Sequence, residues 1–223
     1  MKSVKQPSKN IILFDLDGTL IDSTEAIVES FAVAHRAFGT AQPDDAVIKA
    51  EIGYPLEHMF ATQGVPPEEI AAYVSAYKAH YRKINSQKTR LLPQAREAIA
   101  LAAEYAVLGI VTTKTGKYSI ALLESMQIMH YFAVLIGREN VSFPKPHPEP
   151  IEKALQQLPK VTSGIWMVGD TCMDMEAANA ANIDSIGVLC GYSTREQLLS
   201  CTTKIAENSY QAVQQIIAKQ QHL

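Results

Sequence analysis

A chain of 223 residues can bury one large core or two modest ones, and at 47% hydrophobic and 19% charged it has the composition of neither a disordered segment nor a coiled coil. A formal net charge of −3 without a dense Lys/Arg run argues against nucleic acid as a partner, and no apolar run approaches the ~20 residues a membrane-spanning helix needs. Three cysteines, Cys172, Cys190 and Cys201, lack metal-type spacing and read as ordinary small apolar residues of a protein working in a reducing cytoplasm.

In chain order, residues 1–10 are cationic but carry no apolar core long enough for a signal peptide, since the run 11–14 stops at Asp15. That run is the first expected strand. Residues 21–86 show helical patterns at 24–38, 55–61 and 67–84 and no convincing strand, with breaks at 39–43, 53–55 and 64–67. Apolar runs then recur at 106–111, 133–136, 165–168 and 185–189, alternating with helical patterns at 94–104, 117–126, 149–157 and 171–181, and a closing helix at 207–219. Short Ile/Val-rich runs of this kind suit strands buried on both faces, and their alternation with helices implies right-handed crossovers. The expected fold is α/β: a Rossmann-like, doubly wound parallel sheet core, residues 1–20 and 88–223, with an inserted helical cap domain at 21–87.

Polar groups sit where the apolar runs end. Asp15 and Asp17 follow the first run, Thr112 and Thr113 the second, and Gly169-Asp170 the fourth. In an open α/β sheet, ligands bind outside the carboxyl ends of the strands, so these distant groups are expected to converge. Asp15, Asp17, Asp170 and Asp174 would repel one another unless some are protonated or a cation is present. Oxygen donors without paired His or Cys point to a hard cation, Mg²⁺, and hence to phosphate as the ligand. Lys145, flanked by Pro144 and Pro146, would supply further positive charge from a restricted backbone.

These residues resemble the four motifs of the haloacid dehalogenase-like hydrolase superfamily: Asp15-Leu16-Asp17-Gly18-Thr19, then Thr112 in Ile110-Val111-Thr112-Thr113-Lys114, then Lys145 in Lys145-Pro146-His147-Pro148-Glu149-Pro150, then Gly169-Asp170-Thr171-Cys172-Met173-Asp174. The match spans nearly the whole chain and is most similar to the phosphoglycolate phosphatase-like branch, whose cap follows the first motif. The resemblance implies a phosphoric monoester hydrolase in which Asp15 attacks phosphorus and forms an aspartyl phosphate, while Asp17 serves as general acid and base. It implies that Thr112, with Thr113 beside it, and Lys145 bind the phosphoryl group. It also implies that Asp15, the carbonyl of Asp17 and Asp170 hold Mg²⁺, with Asp174 either a further ligand or a support behind the ligands. The second aspartate favours phosphoryl transfer over dehalogenation, because an alkoxide leaving group needs a proton and a halide does not. Thr19 matches the phosphatase form, where hexose-phosphate mutases of the branch often carry valine.

The expected partner is a small phosphorylated metabolite, 2-phosphoglycolate first, with no nucleic acid or membrane, the protein acting as a monomer or homodimer. Pyrophosphatase, sugar or nucleotide phosphatase and phosphomutase activities are the enzymatic alternatives. A phospho-signalling receiver or an inactive binding protein is the alternative of another class. A receiver would be about half this length and would lack Asp17. Several residues carry structural readings as well. Thr171-x-x-Asp174 is a capping box, Asp22, Ser23 and Glu25 read as an N-cap group, and Asn182, where the branch usually has glycine, suits a left-handed helix end. Tyr73, Tyr77 and Tyr81 repeat at helical spacing and read as a packed face. His35, His58, His80 and His130 lie on helical patterns, His147 in a loop, and none needs a catalytic role. The Gly53-Tyr54-Pro55 turn and neighbouring Arg or Lys residues are the candidate cap contacts with substrate.

Overall fold

The computed structural model describes residues 10–161 and 164–221; the reading of residues 1–9 as no signal peptide lies outside the described residues. Strand β1 (Ile11–Phe14) is followed by the two-residue β2 (Ile21–Asp22) and four helices, α1 (Thr24–Ala37), α2 (Asp45–Ala50), α3 (Leu56–Thr62) and α4 (Ile70–Lys88). The chain returns through β3 (Arg90–Leu91) to α5 (Ala95–Tyr105), β4 (Val107–Val111), α6 (Gly116–Ser125), β5 (Phe132–Ile136) and α7 (Glu149–Gln157). It ends with β6 (Ile165–Gly169), α8 (Cys172–Ala180), β7 (Asp184–Val188), α9 (Arg195–Leu199), β8 (Ile205–Ala206) and α10 (Ser209–Gln221).

Among the described residues a six-stranded sheet has the order β5-β4-β1-β6-β7-β8, every neighbouring pair parallel. All four residues of β1 are at most 1% exposed, as a central strand covered on both faces requires. Alternation divides them between two apolar clusters. Ile12 and Phe14 pack with Ala98, Ile99 and Ala102 of α5 and Ala212, Val213 and Ile216 of α10. Ile11 and Leu13 pack with Ile151 and Ala154 of α7 and Ala177 and Ala178 of α8. Helices on both faces make the sheet doubly wound. From β1 the chain builds outward to β4 and β5, then crosses back to β6, which places the reversal of strand order beside the end of β1.

The helices between β2 and β3 have their own apolar cluster, with Phe31 of α1, Phe60 of α3 and Tyr73, Tyr77 and Tyr81 of α4 all at most 5% exposed. Ring centroids lie 4.6 Å apart for Phe31–Phe60 and 5.0 Å for Phe31–Tyr77, each such pair adding about 0.5–1.5 kcal/mol beyond area burial. The packed reading of the three tyrosines holds.

Some expectations change. The two crossings between the sheet and the helical unit are strands: Ile21 pairs with Leu91 and Asp22 with Arg90, antiparallel, in a ribbon too short to leave a period in the sequence. At α1 the carboxylate of Asp22 accepts the N–H of Thr24 at 3.0 Å, but Glu25 does not complete a cap; it pairs with Lys88 at 2.7 Å. His130 lies in a 3-10 turn, Met129–Tyr131, rather than on an α-helix. Cys172 and Cys201 are joined by a disulfide, which corrects the reading of all three cysteines as ordinary small apolar residues. The bond ties the first residue of α8 to the segment after α9. Asn182 adopts the left-handed conformation, φ 55°, as expected. No helix among the described residues is long and apolar enough to cross a membrane.

Candidate active site

The backbone carries Asp15 straight on from β1, its N–H donating to Val168 O of β6 at 2.9 Å. The chain then folds over Leu16, whose carbonyl accepts from Leu20 and Ile21 at 2.9 and 3.0 Å. Gly18 makes that loop possible. Its φ is +80°, and a Cβ there would lie 2.2 Å from Asp170 Oδ2. Thr112 continues β4 in the same way, its N–H donating to Ile136 O at 2.9 Å, and Asp170 continues β6.

These strand ends bring Asp15, Asp170 and Asp174 together, with one carboxylate oxygen from each lying within 4.8 Å of the others. All three are buried, as is Lys145 at 3% exposure. The Lys145 ammonium lies 2.9 Å from Asp15 Oδ1 and 2.5 Å from Asp174 Oδ1, and donates to Val111 O at 3.0 Å. Burial pushes the Asp15 carboxyl up to about 7 against the pull of Lys145, with Asp174 adding to the rise. Burial, then the charges of Asp15 and Asp174, raises Asp170 well above the usual carboxylate range. Burial also opposes the charge on Lys145, but Asp15 and Asp174 hold it protonated above the ordinary lysine range. Three buried carboxyl groups in an all-oxygen pocket, two of them against one lysine, cannot all ionise without a further cation. That donor set fits a hard divalent cation such as Mg²⁺.

Neighbouring groups fix each of these side chains. Asp170 accepts from Thr19 Oγ1 at 3.0 Å and from the N–H of Tyr192 at 2.9 Å, and the carbonyl of Thr19 accepts from Ser209 Oγ at 2.6 Å. Asp174 Oδ2 accepts the N–H and hydroxyl of Thr171 at 3.1 and 2.8 Å, while its other oxygen faces Lys145. One carboxylate therefore both caps α8 and joins the acidic cluster. The loop carrying Lys145 is pinned by Glu149, which accepts the N–H groups of Ser142 and Phe143 at 3.1 and 2.7 Å. The Lys153 ammonium, and then those contacts, hold the Glu149 carboxyl at about 2.

Not every expected residue joins the cluster. The side chain of Asp17 turns away, its Oδ2 accepting from Lys114 Nζ at 2.8 Å and its buried Oδ1 having no hydrogen-bond partner among the described residues. Thr112 is buried at the end of β4, its hydroxyl accepting the N–H of Lys114 at 3.2 Å. The Thr113 hydroxyl instead reaches the helical unit, donating to Gly53 O at 2.7 Å. That contact places the Gly53-Tyr54 turn over the core. Cys190 is no nucleophile, since burial pushes its thiol up to about 11.

Two residues here carry no clear sequence signal. Lys114 lies just beyond β4, where nothing in the pattern marks it as a partner of a residue 97 positions away. Tyr192 lies in the loop after β7; besides its N–H on Asp170, its hydroxyl meets Thr24 Oγ1 of α1 at 3.1 Å, so it bridges sheet and helical unit. Between the two units runs a narrow cleft bordered by Asp17, Lys114, Tyr54, Tyr81, Lys78 and Arg138. It offers water about 70 Å³, room for roughly five molecules.

The sequence profile described as haloacid dehalogenase-like hydrolase matches residues 12–188. A relative named "Probable phosphatase IndB" from Dickeya dadantii is 33% identical over 217 residues, covering 92% of each chain. A phosphoglycolate phosphatase of Salmonella typhimurium is 28% identical over 227 residues, covering 89% of this chain and 88% of the relative. Among solved structures, a haloacid dehalogenase-like family hydrolase from Streptococcus pneumoniae superposes with a TM-score of 0.83 at 28% identity, over 93% of this chain and 98% of that one.

Proposed function

From the premise that the chain belongs to the haloacid dehalogenase-like hydrolase family, we propose that it is a Mg²⁺-dependent phosphatase that hydrolyses a small phosphomonoester of the phosphoglycolate type through an aspartyl phosphate on Asp15. The observation that carries this reading is the cluster of Asp15, Asp170 and Asp174 around Lys145, with a second aspartate, Asp17, two residues after the first and outside the cluster. Asp15 attacks phosphorus, forming one P–O bond as the bond to the leaving oxygen breaks. Asp17 gives its proton to that oxygen, then takes one from the water that cleaves the aspartyl phosphate, releasing inorganic phosphate and restoring Asp15. Thr112 donates to the phosphoryl group and Lys145 neutralises charge on it. Asp15, the carbonyl of Asp17, Asp170 and Asp174 would hold Mg²⁺, which when bound offsets the repulsion between an anionic nucleophile and an anionic substrate. In this reading residues 21–87 form the cap that closes over the leaving group and excludes water.

Family membership sets aside the receiver alternative. The cytoplasmic setting and the monomeric or homodimeric state belong to the same proposal, and in a reducing compartment Cys172 and Cys201 would be thiols. The test is phosphate release from a panel of phosphomonoesters, pyrophosphate, sugar phosphates and nucleotides, with and without Mg²⁺, for the wild type and Asp15→Asn. The expected result is Mg²⁺-dependent release that falls at least about 10³-fold in Asp15→Asn, a typical cost of losing a catalytic group. Metal-independent release, or full activity in the variant, would overturn the mechanism.

A further inference from the structure

Lys114 has no part in the chemistry above, yet it stands between Asp17 and the cleft. Its ammonium donates to Asp17 Oδ2 at 2.8 Å and lies 4.5 Å from the centre of the Tyr81 ring, and both side chains of the ion pair are 11% exposed. Burial opposes the lysine's charge, and Asp17, then Tyr81, hold it protonated above the ordinary lysine range. This pair binds the carboxylate that the reaction needs free. To serve the leaving oxygen, Asp17 must turn from Lys114, and a largely buried ammonium tolerates the loss of its anion poorly. The incoming molecule can replace that anion only if it carries one close to the ester oxygen.

The surroundings favour an anion. Lys78 and Arg138 add positive charge to the cleft, and Glu57 is the acid that borders it besides Asp17. Resting on the phosphatase reading above, we propose that Lys114 selects phosphomonoesters whose leaving group bears a carboxylate one carbon from the ester oxygen, exchanging the carboxylate of Asp17 for that of the substrate. No bond is made or broken in the exchange. The ammonium passes from one carboxylate to another, and the freed Asp17 carboxylate takes from bulk solvent the proton it then gives to the leaving oxygen, so a substrate without its own anion leaves Asp17 held.

The experiment compares 2-phosphoglycolate with 2-hydroxyethyl phosphate, in which an uncharged alcohol replaces the carboxylate, for the wild type, Lys114→Met, Lys114→Gln and Lys114→Arg, each checked for a native circular dichroism spectrum. The wild type is expected to prefer 2-phosphoglycolate in kcat/KM by at least about 100-fold, since sites built to pair a substrate polar group reject analogues lacking it by up to about 10⁴–10⁵-fold. Lys114→Met and Lys114→Gln should bring that ratio to within about threefold of unity, mainly through KM for 2-phosphoglycolate, while Lys114→Arg keeps most of the preference because the charge remains. A wild type without preference overturns the inference while leaving the phosphatase reading intact. So does an equal loss on both substrates, which would make Lys114 only a support for Asp17. A wild type inert toward both esters and toward p-nitrophenyl phosphate overturns the phosphatase reading, and the inference falls with it.

Discussion

The sheet and the helical unit above it bury opposite kinds of groups. Under the carboxyl ends of the strands lie Asp15, Lys145, Asp170 and Asp174, each at most 4% exposed, where like charges crowd together and, among the described residues, one lysine answers them. Within the helical unit lie Phe31, Phe60, Tyr73, Tyr77 and Tyr81, with buried polar groups such as Ser30 and His35 satisfied locally by Ala26 O and by Thr40 and Gln63. The first arrangement weakens the fold and, in the proposed reading, serves chemistry; the second strengthens the fold and shapes the space above it. A site of this kind has to be anchored from outside, and here Thr19, Tyr192, Thr171 and Glu149 do that.

The contrast can be broken most forcefully in the helical unit. Replacing Phe31, which touches Phe60 and Tyr77 and is 0% exposed, should cost about 3–5 kcal/mol of folding stability in Phe31→Ala, read from urea unfolding. A loss below about 1 kcal/mol would mean that this cluster closes without the ring. Next in size is the disulfide beside the acidic site. It closes a separation of 29 residues, so Cys201→Ser should lower the stability of the oxidised protein by about 3.5 kcal/mol. An unchanged midpoint in oxidising buffer would show that the bond does not form in solution.

The smallest effect concerns the charges themselves. The Asp15 carboxyl is raised from 3.8 to about 7 by burial. Well below pH 3.8 it is neutral in both folded and unfolded chains; as pH rises from there toward 7 the unfolded chain ionises freely and the folded one resists. Without a divalent cation, this group therefore withdraws stability across that window. Mg²⁺ should raise the melting temperature by about 3 °C more at pH 8 than at pH 5, in line with the few degrees expected per kcal/mol for a chain of this size. Equal increments at the two pH values would argue that Asp15 does not meet the ion.

Much of the sheet was legible because strands buried on both faces leave uninterrupted apolar runs. The bounds of β1 and α7 match the sequence expectation, and the other long strands and helices of the sheet unit differ from it by a few residues at most. The short elements were not legible. Two-residue strands such as β2, β3 and β8 have no period, and α2 and α9, of six and five residues, show too little of one. Of the site, the strand-end residues could be named because their place follows from topology, and Asp174 because a capping position and an acidic cluster coincide. Lys114 and Tyr192 escaped because nothing local marks them. Their significance arises only when β4 and the loop after β7 are folded against Asp17 and Asp170. The pairing of Cys172 with Cys201 depends likewise on α9 folding back beside the start of α8.

The ribbon of β2 and β3 has a consequence for how such a protein changes over generations. Because Ile21 faces Leu91 and Asp22 faces Arg90, the chain leaves the sheet and returns to it at one place, with its two ends already hydrogen-bonded side by side. Everything between those ends is, for the sheet, a graft on a single stalk. Such a graft can lengthen, shrink or be exchanged for another without disturbing the register of β1. A lineage can therefore try new chambers over an inherited reaction by recombination at that stalk, and Lys114, rooted on the sheet side, would meet each of them with the same charge.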